Sequence, residues 1–245
     1  MMEKSSSEEL ARRFRNVEEN LKVIRERMAE AAAASGRGPE EVALLAATKT
    51  VPAEVINRSI ALGVSRIGEN RVQELLGKYD SYRLERCSLH FIGHLQLNKV
   101  KYLIGKVSVI ESVGSEKLAK EISRLSVREH AVTDILLEVN IGREANKSGV
   151  LPEGLPDLLG FAATLPGVRV RGLMAIPPAG APAAETRNYF SRMNRYFIDI
   201  KDKKIDNVAM DCLSMGMSAD YTEAIRAGAT QIRVGTALYG PRIYP

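Results

Sequence analysis

Leu44-Leu45-Ala46-Ala47-Thr48-Lys49-Thr50 is an apolar run that ends on a lone lysine. A short continuous apolar run reads as a buried strand of the kind parallel sheets use. An ammonium at the rim of a core is unfavourable unless its charge is paired or its proton is lost, and the deprotonated amine is a nucleophile that forms Schiff bases with carbonyl compounds. A solvated lysine that merely follows a strand is the commoner case. The rest of the chain decides between the two.

Working outward, residues 7–34 place Leu10, Phe14, Val17, Leu21, Ile24 and Met28 alternately four and three apart, the seam of one long amphipathic helix. The seam predicts packing against the main body; barely three heptads make a coiled-coil dimer the weaker reading. Ser35-Gly36-Arg37-Gly38-Pro39 breaks the helix and follows no strand, so it is no dinucleotide-binding turn. Beyond it, short apolar runs alternate with helical segments. Strands are expected at residues 42–48, 64–67, 89–92, 107–110, 135–139, 168–175, 212–215 and 231–234. Gly63 and Gly228 end two of the intervening helices, and Ser115 is a plausible N-cap for another. Eight strand-helix units in ~200 residues predict a single (β/α)8 barrel, because parallel strands need crossover helices and eight of them close the sheet. The expected organisation is one domain over residues 1–245, with residues 1–38 packed on the barrel; a doubly wound open sheet is the runner-up.

The chain's 245 residues suit one such barrel, and 45% hydrophobic with 27% charged residues suits a soluble globular protein. No apolar run reaches the ~18 residues of a membrane span, and no secretory leader is evident. Cys87 and Cys212 make neither a disulfide framework nor a zinc pattern, so a reducing cytoplasm is expected, and three histidines offer no histidine metal site. The net charge of +5 is spread among acids, as in EKLAKEISRLSVRE, which excludes a nucleic-acid footprint while favouring a small phosphorylated anion in a cleft.

In a parallel barrel the active site is built at the carboxyl ends of the strands. Standing there are Lys49, Glu69 with Asn70, His94, Asn140 with Lys147 in its loop, Met174, Ser214, and Arg233 with Gly235 and Thr236. Asn70 could merely cap a helix, His94 could be a satisfied loop histidine, and Lys147 could be solvated. Arg233, flanked by Ile232 and Val234, is harder to set aside, since an arginine held at a barrel end needs a partner. Gly216 and Gly235 would let backbone N–H groups approach an anion, and the last two loops are where barrels commonly hold phosphate, which makes Ser214, Gly235 and Thr236 the expected cradle. An aldehyde-trapping lysine, a phosphate cradle and an arginine together suggest pyridoxal 5′-phosphate (PLP).

The strings LLAATKT, RIGENRVQE, HFIGHLQLNK, ANKSG, RGLMAIPP, LSMGMSADYTEAI and RVGTALYG resemble the YggS/PROSC family, the pyridoxal phosphate homeostasis proteins, from about Val42 to Arg242. The resemblance implies a single barrel of the alanine racemase N-terminal type with PLP held as a Schiff base on Lys49. It further implies Asn70 near the ring, Ser214, Gly235 and Thr236 on the phosphate, and Arg233 facing the pyridine nitrogen. An arginine there keeps its proton, so the ring would be a poor electron sink. Lys147 matches a lysine linked to cofactor exchange, while His94 falls at a position that varies.

Two enzymes compete with a carrier. A racemase of this barrel type carries a second, mostly β domain and a partner-subunit tyrosine, whereas this chain ends near where the barrel is expected to close. A Schiff-base aldolase would want a carboxylate beside the lysine; Glu138 is the candidate, and a carboxylate paired with a neighbouring lysine or arginine is the plainer reading. The expectation is a non-enzymatic, cytoplasmic PLP carrier. Its partners would be PLP and PLP-dependent apoenzymes, with no nucleic acid and no membrane. A monomer is expected, the amphipathic helix leaving a dimer open.

Overall fold

The computed structural model describes residues 2–241, with side chains from residue 8 onward. Met1 and residues 242–245, which belong to the expected 1–245 unit and include the Arg242 end of the family-like stretch, lie outside the described residues.

The strands β1 (Ala43–Ala47), β2 (Arg66–Glu69), β3 (Ser88–Phe91), β4 (Val109–Val113), β5 (Thr133–Val139), β6 (Val168–Ala175), β7 (Val208–Ser214) and β8 (Gln231–Val234) form a closed parallel barrel in chain order. The seam is β1 on β8, with Leu44 beside Ile232 and Leu45 beside Arg233. Helices α2 (Ala53–Ala61), α3 (Val72–Lys78), α4 (Glu116–Arg128), α5 (Leu155–Ala163), α6 (Ala183–Asp202), α7 (Tyr221–Arg226) and α8 (Thr236–Tyr239) connect or follow the strands. All eight expected strands are present. The expected helix after β3 is a short 3-10 segment, Leu97–Tyr102. β4 runs further than the apolar letters suggest, because Glu111 and Ser112 continue it as buried polar residues, and its pairing with β5 is irregular between Ile110 and Val113.

Strand alternation divides the buried side chains in two. One set, including Ala46, Ile67, Leu89, Ile110, Ile135, Ile232 and Val234, packs into one apolar cluster with Ile56, Ile122, Phe190 and Ile225 of the helices. The other set faces the lumen and is largely polar. A methyl group at Gly68 would come 2.6 Å from Leu45 Cδ2 and 2.9 Å from Ile92 Cδ1, so the lumen is closely packed at that point.

α1 (Met2–Ala33) buries Val17, Leu21, Ile24 and Met28, the seam read from its spacing, against the barrel, next to α2, α7 and α8. Asn20 Nδ2 donates to the Leu238 carbonyl at 3.0 Å, and Arg37, after the helix, donates to the Ala229 carbonyl at 2.9 Å and to that of Ile225. Ser115 caps α4, its hydroxyl accepting from Leu118 N–H at 3.3 Å. No described helix is long and apolar enough to cross a membrane.

Candidate functional site

Lys49 stands just past β1, half-buried, in a cleft over the β1/β8 seam. Gly235, Thr236 and Tyr239 form the opposite wall, and Arg13 reaches in from α1. The neighbours of Lys49 are pinned. Thr48 is fully buried, with Oγ1 3.0 Å from the Gly68 carbonyl and 2.7 Å from Glu69 Oε1. Thr50 adopts a left-handed conformation, φ +62°, and its N–H is bound by Glu74 Oε1. Lys78 Nζ ties the turn down: it lies 2.7 Å from Glu69, 2.9 Å from Glu74 and 3.2 Å from the carbonyls of Thr48 and Val51. Tyr82 also donates to Glu69, at 2.6 Å, and burial followed by the Glu69 charge pushes its pKa up. A positive-φ residue beside the lysine costs conformational energy, and this network offsets it.

The far wall is built from close backbone approaches. A Cβ on Gly235 would lie 3.3 Å from the Ala47 carbonyl oxygen, and one on Gly216, φ +89°, would meet Ala224 Cβ at 2.5 Å. The N–H groups of Gly235 and Ala237 converge on Ser218 Oγ at 3.3 and 3.2 Å, which leaves the hydroxyl proton to donate elsewhere.

Ser214 lies elsewhere than its expected place beside Gly235 and Thr236. It ends β7 facing the lumen, fully buried, donates to Glu111 Oε2 at 2.6 Å and accepts from Arg233 Nη1 at 2.6 Å and Gln231 Nε2 at 3.0 Å. Its hydrogen-bonding capacity is spent there. Ser218, later in the same loop, holds the position next to Gly235 instead.

Arg233 is buried in the lumen, its second terminal nitrogen on the Ala175 carbonyl at 2.9 Å. Burial pulls its pKa down, and the charges of Glu111 and Glu138 oppose that. Glu111 is the hub of the lumen: Oε1 lies 2.6 Å from His90 Nδ1 and accepts from Gln231 Nε2 at 2.7 Å. Burial works against the Glu111 charge, but the hydrogen bond and charge of His90, the charge of Arg233 and the Ser214 hydroxyl together hold its pKa below the usual carboxylate range. Towards the amino ends of the strands the chain of contacts continues, with His90 Nε2 3.1 Å from Ser88 Oγ and Arg66 donating to Gln231 at 2.8 Å. Cys212, beside it, is pushed up to about 12 by burial and by Glu111.

The remaining expected residues fall in three places. Asn70 follows β2, and its Oδ1 is buried without a hydrogen-bond partner. Met174 is a buried β6 residue beside Ser214 in the sheet register. His94 is exposed, its Nδ1 2.9 Å from Ser148 Oγ, in a different cavity from Lys49, and Lys147 is exposed in the loop after β5. Asn140 staples that loop, accepting from Glu144 N–H at 3.1 Å and donating to the Glu144 carbonyl at 2.8 Å. Glu138 has no ion pair among the described residues, and burial raises its pKa to about 7 in spite of Arg233.

Arg13, Ser218, Lys78 and the His90-Glu111-Gln231 set were not singled out by sequence reasoning. Arg13 and Lys78 sit on polar helix faces, where spacing predicts solvent. The lumen set lies inside strands, where a polar letter at every second position was the available signal.

The closed barrel with a lysine at the end of its first strand and a tight glycine turn at the end of its last defines a class, the α/β barrel of alanine racemase N-terminal type, and residues 14–243 match the family model described as "Alanine racemase, N-terminal domain". Among curated relatives, the pyridoxal phosphate homeostasis protein of Aquifex aeolicus is 44% identical over 229 residues, 94% of this chain and all of that one. Among solved structures, PipY of Synechococcus elongatus PCC7942 with PLP bound is 33% identical with a TM-score of 0.75, over 87% of this chain and all of that one. The chain belongs to the pyridoxal phosphate homeostasis protein family. An alanine racemase of Corynebacterium glutamicum, 14% identical with a TM-score of 0.69 over 90% of this chain and 62% of its own, shares the fold.

Proposed function

We propose that this chain binds PLP reversibly, with its aldehyde joined to Lys49 as a Schiff base, and that it buffers and delivers the cofactor without turning over a substrate. The observation that carries the reading is the shared cleft: Lys49 and the Gly235-Thr236 turn, two elements from opposite ends of the sequence, line one opening across the barrel seam. The residues fit the group. The turn is tight, a Cβ on Gly235 coming 3.3 Å from the Ala47 carbonyl oxygen; the Ser218 hydroxyl, held by the Gly235 and Ala237 N–H groups, keeps its proton to donate to an anion, and Arg13 adds a cation. The orphaned Asn70 Oδ1 is a fixed acceptor suited to a ring hydroxyl. On this reading Gly235, Thr236 and Ser218 hold phosphate, Ser214 acts by orienting Arg233, and Arg233 faces the ring nitrogen from the lumen.

When bound, PLP supplies an electron sink for amine chemistry. A guanidinium that keeps its proton gives the ring nitrogen none, which favours storage over carbanion chemistry. Lys147, exposed on the loop after β5, would assist cofactor exchange from outside the cleft, and His94 and Met174 do not line it. Apoenzymes needing PLP are the receiving partners, and a single 1–245 unit in the cytoplasm, monomeric in solution, is the acting species.

The experiment is an absorbance spectrum of protein mixed with PLP, before and after borohydride, on the parent and Lys49→Ala. The expected result is a visible band that borohydride abolishes, with PLP fixed to Lys49, and at least ~100-fold less of it in the variant. Equal labelling of both proteins sinks the tether. Alanine racemisation at an ordinary enzymatic rate, on the order of 1 to 10³ per second, overturns the carrier reading in favour of a racemase.

A further inference from the structure

A second cavity, of about 420 Å³, opens on the β3–β5 side of the strand ends, across the barrel from the seam that holds Lys49. That volume is within the range of small-molecule sites, roughly 300–1,000 Å³. Two of its polar side chains are more than nine-tenths buried and have atoms without a hydrogen-bond partner: Ser112 Oγ and Glu138 Oε2. Buried polar atoms are paired in all but a few cases, so two orphans on one cavity point to a ligand. Nothing in the PLP reading uses either of them.

The walls say what kind. Glu138 gives the floor a carboxyl that, once ionised, needs a positive charge, and Arg233 already has Ser214 and Ala175 as its partners. The rim has the opposite character. Lys117 stands there with the start of α4, whose cap Ser115 satisfies only the Leu118 N–H, and with His94, whose Nδ1 is taken by Ser148. Between the two poles Leu95, Leu97 and Leu118 make an apolar wall. A ligand that answers all three is short, carries an ammonium and a carboxylate, and has an aliphatic side chain.

We propose that this cavity binds a free aliphatic α-amino acid, its ammonium on Glu138 and Ser112, its carboxylate towards Lys117 and the first turn of α4, and its side chain on Leu95, Leu97 and Leu118. The site stands on its own geometry and does not depend on PLP.

Calorimetric titration of the full chain with L-leucine tests it, after borohydride treatment so that no aldehyde is left to react with the amine. One saturable site is expected. Isopentylamine, which lacks the carboxylate, and 4-methylpentanoate, which lacks the ammonium, should each bind at least ~10-fold more weakly. Glu138→Gln and Ser112→Ala should each weaken leucine at least ~10-fold while circular dichroism shows them folded. Absence of saturable heat at millimolar leucine overturns the proposal. So does equal binding of 4-methylpentanoate, which would make this a simple anion site, and so does unchanged affinity in both folded variants. Because the borohydride step consumes any tether, failure of the PLP reading leaves these results interpretable, and failure here leaves the Lys49 spectrum untouched.

Discussion

The barrel has two interiors, built on opposite faces of the same strands. Outside the sheet, Ile110, Ile135 and Ile232 meet helix residues such as Ile122 and Phe190 in an apolar layer that any well-shaped hydrocarbon could fill. Inside, Glu111, His90, Ser214, Gln231 and Arg233 hold one another by hydrogen bonds of 2.6 to 3.0 Å. The first layer gains stability in proportion to area removed from water. The second offsets a large desolvation cost only while every member is present. The outer face therefore specifies that a barrel forms, and the inner face specifies what its carboxyl end can do.

The most damaging way to test that contrast is Glu111→Leu, which fits hydrocarbon into the lumen and leaves Arg233 without its compensating charge. A loss of about 3–5 kcal/mol is expected in urea denaturation, the range for a buried charge left uncompensated. A tolerated leucine would mean the lumen behaves like the shell.

Glu138 sharpens the comparison by being the carboxyl the inner face leaves unpaired. Its folded pKa, about 7, lies above its ordinary value, so between the two the native state binds more protons than the unfolded chain. Its contribution to stability is fully present below the ordinary carboxylate range and lost as pH rises through 7. Glu138→Gln should match the parent at pH 4 and exceed it by about 3 kcal/mol at pH 8. Parallel stability-pH curves for the two proteins would show that the carboxyl is ionised without cost.

The smallest effect belongs to the outer layer. Ile135→Val removes one methylene from a fully buried strand residue, and about 1 kcal/mol, independent of pH, should be lost by the same denaturation measurement.

The same division explains what could be read in advance. The strand runs at 135–139, 168–175 and 231–234 are legible because outward-facing apolar residues mark them, and α1 is legible because its seam repeats at helical spacing. Lys49, Gly235 and Thr236 could be placed at strand ends because the strands of a parallel barrel can be counted from those runs. Where a lumen residue carries the meaning, the letters mislead: Glu111 and Ser112 hid the end of β4, and Ser214, read as part of the seventh strand and assigned to the anion cradle, is turned inward by alternation. Arg13 was invisible, because only the packing angle of α1 decides which of its polar residues reaches the rim.

The seam cleft has a consequence for how the protein comes into being. Its walls come from Arg13, from the Lys49 turn and from Gly235 to Pro241, and β8 must pair with β1, made long before it, to bring them together. Contacts so distant in sequence are the last to close. On the proposed reading, a nascent chain halted before Gly235 would carry Lys49 without its opposite wall, so capture of an aldehyde would wait for β8 to close on β1, and occupancy of the cleft would report that the ring is complete.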